Sequence, residues 1–141
     1  MNITYIYESN DKKPDREYLV KRVVEYISTL IELPNDIQVV FAILDDSIYG
    51  STFVNPRFKN RITVNNKLTN TELPYVLIHE LIHINQIHTG RLSVASNGMY
   101  IWGGSVYSIN KNTDYDDLPW EQDVAAREQQ IKTKVLHFLN N

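Results

Sequence analysis

The densest chemistry in the chain lies in His79-Glu80-Leu81-Ile82-His83. On a helix, residues four apart share a face, so the two imidazoles can grip one metal ion. Glu80, turned about 100° from His79, reaches water beside that ion without ligating it. This is zinc chemistry, with two nitrogens for the metal and a carboxylate for a proton. The flanks put the motif in mid-helix: Thr71-Glu72-Leu73-Pro74 reads as an N-cap and first turn, and Thr89-Gly90 as the C-terminal stop. Val76, Leu77, Ile78, Leu81, Ile82, Ile84 and Ile87 cover most of the circumference. The helix is therefore expected to be buried on nearly all sides, and histidines inside it need partners.

A catalytic zinc takes three protein ligands and leaves a position for water. The chain has no cysteine, so the third ligand must be a histidine or a carboxylate. His88 comes only five residues after His83 and points to the far side of its own helix. The last helix offers Glu121, Asp123 and Glu128 instead. Measured from Glu121 at about 100° per residue, Trp120, Val124, Ile131, Val135 and Phe138 gather between about −100° and −40° and define the core face. Glu121 and Glu128, the latter at about −20°, border that face, whereas Asp123 at about 200° is expected to face solvent. Glu121 is the expected ligand. Glu128 is its first alternative, or the partner that orients a ligating histidine.

The elements that must position these residues follow from periodicity and punctuation. A strand over residues 3–7 leads through a polar turn to an amphipathic helix over residues 15–33, with Leu19, Val23, Tyr26, Ile27 and Leu30 on its buried side. Strands are expected over residues 37–44, 49–54 and 61–64, with Asp45-Asp46 and Asn55-Pro56 as turns. After the motif helix, residues 99–102 and 105–109 flank Gly103-Gly104 as a hairpin, and a last helix starts near Pro119, where proline suits the first turn. This order predicts an α+β fold, a small antiparallel or mixed sheet packed on the motif helix and the C-terminal glutamate helix.

The chain has 141 residues, the length of one domain spanning residues 1–141 with a real core. A net charge of −3 gives no reason to expect nucleic acid or an anionic membrane as partner, and the expected partner is a peptide or protein. The first eight residues lack the basic and apolar regions of a signal peptide, and no apolar run reaches membrane-spanning length. A soluble, cytoplasmic protein is the expectation.

Val76-Leu77-Ile78-His79-Glu80-Leu81-Ile82-His83-Ile84-Asn85-Gln86, followed by Leu118-Pro119-Trp120-Glu121-Gln122-Asp123, resembles the gluzincin class of zinc metallopeptidases. In that class a glutamate on a later helix completes HExxH. The closer resemblance, over residues 71 to about 130, is to short single-domain metallopeptidase-like proteins of phages and bacteria, which makes the host cytoplasm the expected location if the gene is a phage's. The resemblance implies a zincin-like domain with an edge strand before the active helix, and Glu121, first acid of the Glu-x-Glu/Asp pattern, as ligand. Gluzincins often carry an acid four residues after that ligand to orient a histidine. Here that position is Ala125, so the support must come from Glu128 or Asp123.

The expected reaction is zinc-dependent peptide hydrolysis, with Zn²⁺ on His79, His83 and Glu121 and Glu80 as general base. Tyr115 is the first choice as donor to the tetrahedral oxyanion, ahead of Tyr107 and Tyr100. The strand over residues 61–64 is the expected edge along which an extended substrate adds, near Arg57, Lys59, Asn60 and Lys67. The rival reading is a catalytically silent, zinc-stabilised binding module; retention of Glu80 argues against it, since a structural site needs no base.

Overall fold

A computed structural model describes residues 1–52, 54 and 60–141. The elements run β1 (Asn2–Tyr7), α1 (Pro14–Ile27), β2 (Asp36–Ala42), β3 (Gly50–Thr52), β4 (Arg61–Asn65), α2 (Leu73–His88), β5 (Leu92–Val94), β6 (Tyr100–Trp102), β7 (Ser105–Tyr107), a 3-10 turn at Tyr115–Asp117, and α3 (Pro119–Leu139). Among the described residues no helix is long and apolar enough to cross a membrane. Among the described residues the fold is α+β, with a mixed four-stranded sheet, a small antiparallel sheet and three α-helices.

In the larger sheet the order is β1-β2-β4-β3; β1, β2 and β4 are parallel, and β3 runs antiparallel to β4. The parallel pair β1 and β2 is bridged by α1, as parallel strands require a crossover. Ile37, Val39 and Phe41 of β2 and Ile62 and Val64 of β4 bury one face against Val20, Val23, Val24 and Ile27 of α1 and Leu77, Leu81 and Ile84 of α2. Each such apolar side chain stabilises the fold by about 1.5–3 kcal/mol. With helices on both its flanks and the sheet below, α2 is buried from Leu77 to Gln86 except at its cleft side.

Two features differ from the sequence reading in ways that matter little to the site. The first helix ends at Ile27, because the hydroxyls of Ser28 and Thr29 donate back to the carbonyls of Glu25 and Tyr26 and compete with continuation. Leu30, Ile31 and Leu33 still pack on the core, which is why the apolar period runs on to residue 33. The N-terminus of α2 is held not by Thr71 but two residues earlier: Thr69 Oγ1 accepts from the Glu72 amide and Glu72 Oε1 accepts from the Thr69 amide. That reciprocal pair is a capping box.

A third difference changes the cleft. The strand over residues 61–64, expected at the edge, is β4, paired on both sides. The edge is β3, which folds back antiparallel after a loop pinned by Asn65, whose Nδ2 donates to the carbonyls of Leu44, Asp45 and Ile48. A strand of only Gly50, Ser51 and Thr52 carries too little alternation to be ranked from sequence. The expected turn at Asn55-Pro56, residue 53 of the strand expected over residues 49–54, and the cations Arg57 and Lys59 lie outside the described residues, and Val54 is not in a strand.

Beyond α2, β5 pairs with β6, and β6 and β7 form the expected hairpin on Gly103 and Gly104, both at positive φ (56° and 85°) as a two-residue turn requires. Tyr100, Trp102 and Tyr107 of this sheet pack around Trp120, with ring centroids 5.3, 6.5 and 5.6 Å from it. The small sheet thus anchors the first turn of α3, the turn that carries Glu121.

Candidate metal centre

His79 and His83 lie one turn apart on α2 and face Glu121 in the first turn of α3. His79 Nε2 stands 3.4 Å from Glu121 Oε1, and His83 Nε2 stands 3.0 Å from Glu121 Oε2. One ligand atom from each of the three side chains falls within 4.8 Å of the others, and His83 and Glu121 are buried. An acid in a first helical turn also complements the helix dipole, which favours Glu121 at this place independently of any metal.

The outer nitrogens are occupied. His79 Nδ1 meets Glu128 Oε2 at 3.2 Å, and His83 Nδ1 meets Gln86 Oε1 at 2.8 Å. Both partners are acceptors, so each neutral imidazole carries its proton on Nδ1 and turns a lone pair from Nε2 towards Glu121. Two lone pairs and a carboxylate then converge on one point, which is unfavourable without positive charge at the centre. Glu121 Oε2 is buried, and no described residue donates a well-formed hydrogen bond to it. These residues therefore fit a divalent cation, and a set of two imidazoles and one carboxylate suits zinc.

Protons answer the same demand in the protein alone. Hydrogen bonding to Glu121 pushes the His79 pKa up to about 9, against the opposing effect of burial. Burial lowers that of His83, but Glu121 outweighs it and the net shift is upward. For Glu121 burial works upward, yet hydrogen bonds from His79 and His83 hold its pKa down at about 2.

Glu80 lies outside this convergence and lines a cleft of about 660 Å³ together with Tyr49, Thr52, Val76, His79 and Tyr115. Thr52 Oγ1 donates to Glu80 Oε2 at 2.9 Å, which fixes the carboxylate from the edge strand. Burial raises the Glu80 pKa, and the neighbouring imidazoles only partly offset it. Such a shift brings a carboxylate nearer to the range useful for accepting protons at neutral pH.

Tyr115 sits on the 3-10 turn before α3, its ring largely exposed and its hydroxyl end towards Glu121 in the cleft. Its pKa is raised by burial of the hydroxyl end and by the charge of Glu121, so it remains a neutral donor. Tyr100 also lines the cleft, whereas Tyr107 packs on Trp120. His88 is exposed at the end of α2 and takes no part.

Asp123 departs from its expected place. It is only 17 % exposed and accepts from Gln86 Nε2 and from Arg127, both at 2.9 Å, and pairs with Arg91. The stripe of α3 that carries Asp123 and Arg127 faces the polar end of α2 and Arg91 just before β5, so a helical projection that scores only apolar partners misreads it. Thr52 and Gln86 were invisible as participants, the first because only strand pairing brings it to Glu80. Gln86 carried a weak signal: three residues after His83 it lies on the same helix face.

No protein-family model matches the chain, and no curated protein or solved structure shows significant similarity to it.

Proposed function

We propose that this chain is a zinc-dependent peptidase of gluzincin type on a minimal zincin-like fold. The observation that carries the reading is the convergence of His79, His83 and Glu121 on one point with Glu80 beside it, facing the cleft under an edge strand. Zinc, when bound there, supplies Lewis acidity, bringing the pKa of water to about 7 and polarising a carbonyl. The chain's own residues do the rest. Glu80 Oε2 is held by Thr52, which leaves Oε1 to accept a proton from the attacking water and pass it to the leaving amine. The Tyr115 hydroxyl donates to the oxygen of the scissile carbonyl as it gains charge. An extended peptide adds along β3, the edge strand among the described residues, which orients it across α2.

Glu80→Gln keeps the shape and removes the base. It should still bind zinc while cleaving a peptide library about 10²-fold more slowly or worse than wild type. Equal zinc binding in both proteins with no cleavage by either, over a broad library and a range of pH, would instead support a zinc-stabilised binding module.

A further inference from the structure

His83 is held from behind by a residue outside the ligand set. Gln86 is completely buried, and while its Oε1 accepts from His83 Nδ1, its Nε2 donates to Trp120 O and Asp123 Oδ2, both at 2.9 Å. Those two acceptors fix which end of the amide meets the imidazole. Beyond Asp123 the chain of contacts continues: Arg127 donates to Asp123 and to Asn85 Oδ1, and Asn85 Nδ2 donates to the carbonyl of Glu32 after α1. We propose that Gln86 is a positioning residue for the metal centre, holding His83 with its proton on Nδ1 and tying α2 to the turn of α3 that carries Glu121. The proposal rests on His83 being a metal ligand.

The residue type follows from the surroundings. A carboxylate at position 86 also accepts from Nδ1, but its second oxygen would face the Trp120 carbonyl and the Asp123 carboxylate, two acceptors with no proton between them. An apolar side chain leaves the buried His83 Nδ1 without its acceptor and takes a donor from Trp120 O and Asp123 Oδ2. Only an amide presents an acceptor to the histidine and a donor to α3. The contrast with His79 supports this: its Nδ1 is oriented by the carboxylate of Glu128, whose side chain is 41 % exposed. Charge does the orienting where water can screen it, and a neutral amide does it in the core. Because Trp120 and Glu121 are neighbours, the hydrogen bond to Trp120 O also sets the distance between His83 and Glu121.

The test is zinc affinity, by competition with a chromophoric chelator, on wild type, Gln86→Leu and Asp123→Ala, with ¹⁵N-histidine NMR of the zinc-loaded proteins. Gln86→Leu should weaken zinc by about tenfold to a hundredfold and remove the slowly exchanging Nδ1 proton of His83. Asp123→Ala, at a partly exposed position that leaves the core filled, should weaken zinc in the same direction even if Gln86→Leu does not fold. Zinc affinity within twofold of wild type, with the Nδ1 proton retained, in Asp123→Ala and in any folded Gln86→Leu would overturn the positioning role while leaving the ligands intact. A wild type that takes up no zinc would instead overturn the ligand reading itself, and the positioning role with it.

Discussion

At the scale of single residues, the site is a problem of charge balance that only a cation or protons can solve. The two imidazoles present Nε2 lone pairs to a carboxylate, and the residues behind them, Glu128 and Gln86, leave no other tautomer. In chelator-treated protein the proton on His79 therefore stabilises the fold. Its pKa rises on folding from 6.5 to about 9, so that contribution is complete below about pH 6.5 and is lost as the pH climbs through about 9. Glu121 works on the acid side: its pKa falls from 4.5 to about 2, so its contribution is present above about pH 4.5 and is lost as the pH drops through about 2. Without metal, the stability lost in His79→Ala relative to wild type should shrink as the pH is raised from slightly acidic to above about 9, as read by chemical denaturation. A difference that stays constant or grows over that interval would contradict the charge balance described for the site.

At the scale of elements, the cleft depends on how closely the edge strand approaches the motif helix. Gly50 makes that approach possible: a Cβ there would sit 2.7 Å from Val76 Cγ1, 3.1 Å from Thr63 O and 3.5 Å from Glu80 Cγ. Gly50→Ala must push β3 away from α2, at a cost of about 1–3 kcal/mol for overpacking. It should also loosen the Thr52 contact to Glu80, two residues along the strand. Denaturant unfolding would register the loss as a lower midpoint, and an unchanged midpoint would show that the strand does not abut the helix as described. The motif helix, α3 and the hairpin were legible in the sequence because they are long or carry strong punctuation, in the form of Pro74, Pro119 and Gly103-Gly104. Strand β5, with three residues, was not, whereas β3 falls within the strand expected over residues 49–54. Nor was the fold-back that makes β3 the edge and β4 central, since it is decided by Asn65 binding three carbonyls of a distant loop.

At the scale of the whole molecule, two layers meet at α2. The larger sheet and α1 bury one side of it, and α3, braced by the aromatic cluster of the small sheet, brings Glu121, the third member of the candidate site, to the other. The candidate ligands were readable because HExxH fixes two by helical geometry and the core face of α3 narrows the third to Glu121 or Glu128. The network behind them was not, because the buried Gln86 and the half-buried Asp123 and Arg127 are polar residues packed against one another, and a reading of apolar periodicity assigns polar residues to the surface. The central claim is that His79, His83 and Glu121 together hold a single divalent ion. The most direct test is metal analysis of the zinc-loaded, dialysed protein beside His79→Ala and Glu121→Ala, with Lys67→Ala, an exposed partner of Asp46 that does not line the cleft, as control. About one zinc per chain in wild type and control, with most of it lost in both ligand variants, is the predicted result. No zinc in the wild type, or equal zinc in all four proteins, would contradict it.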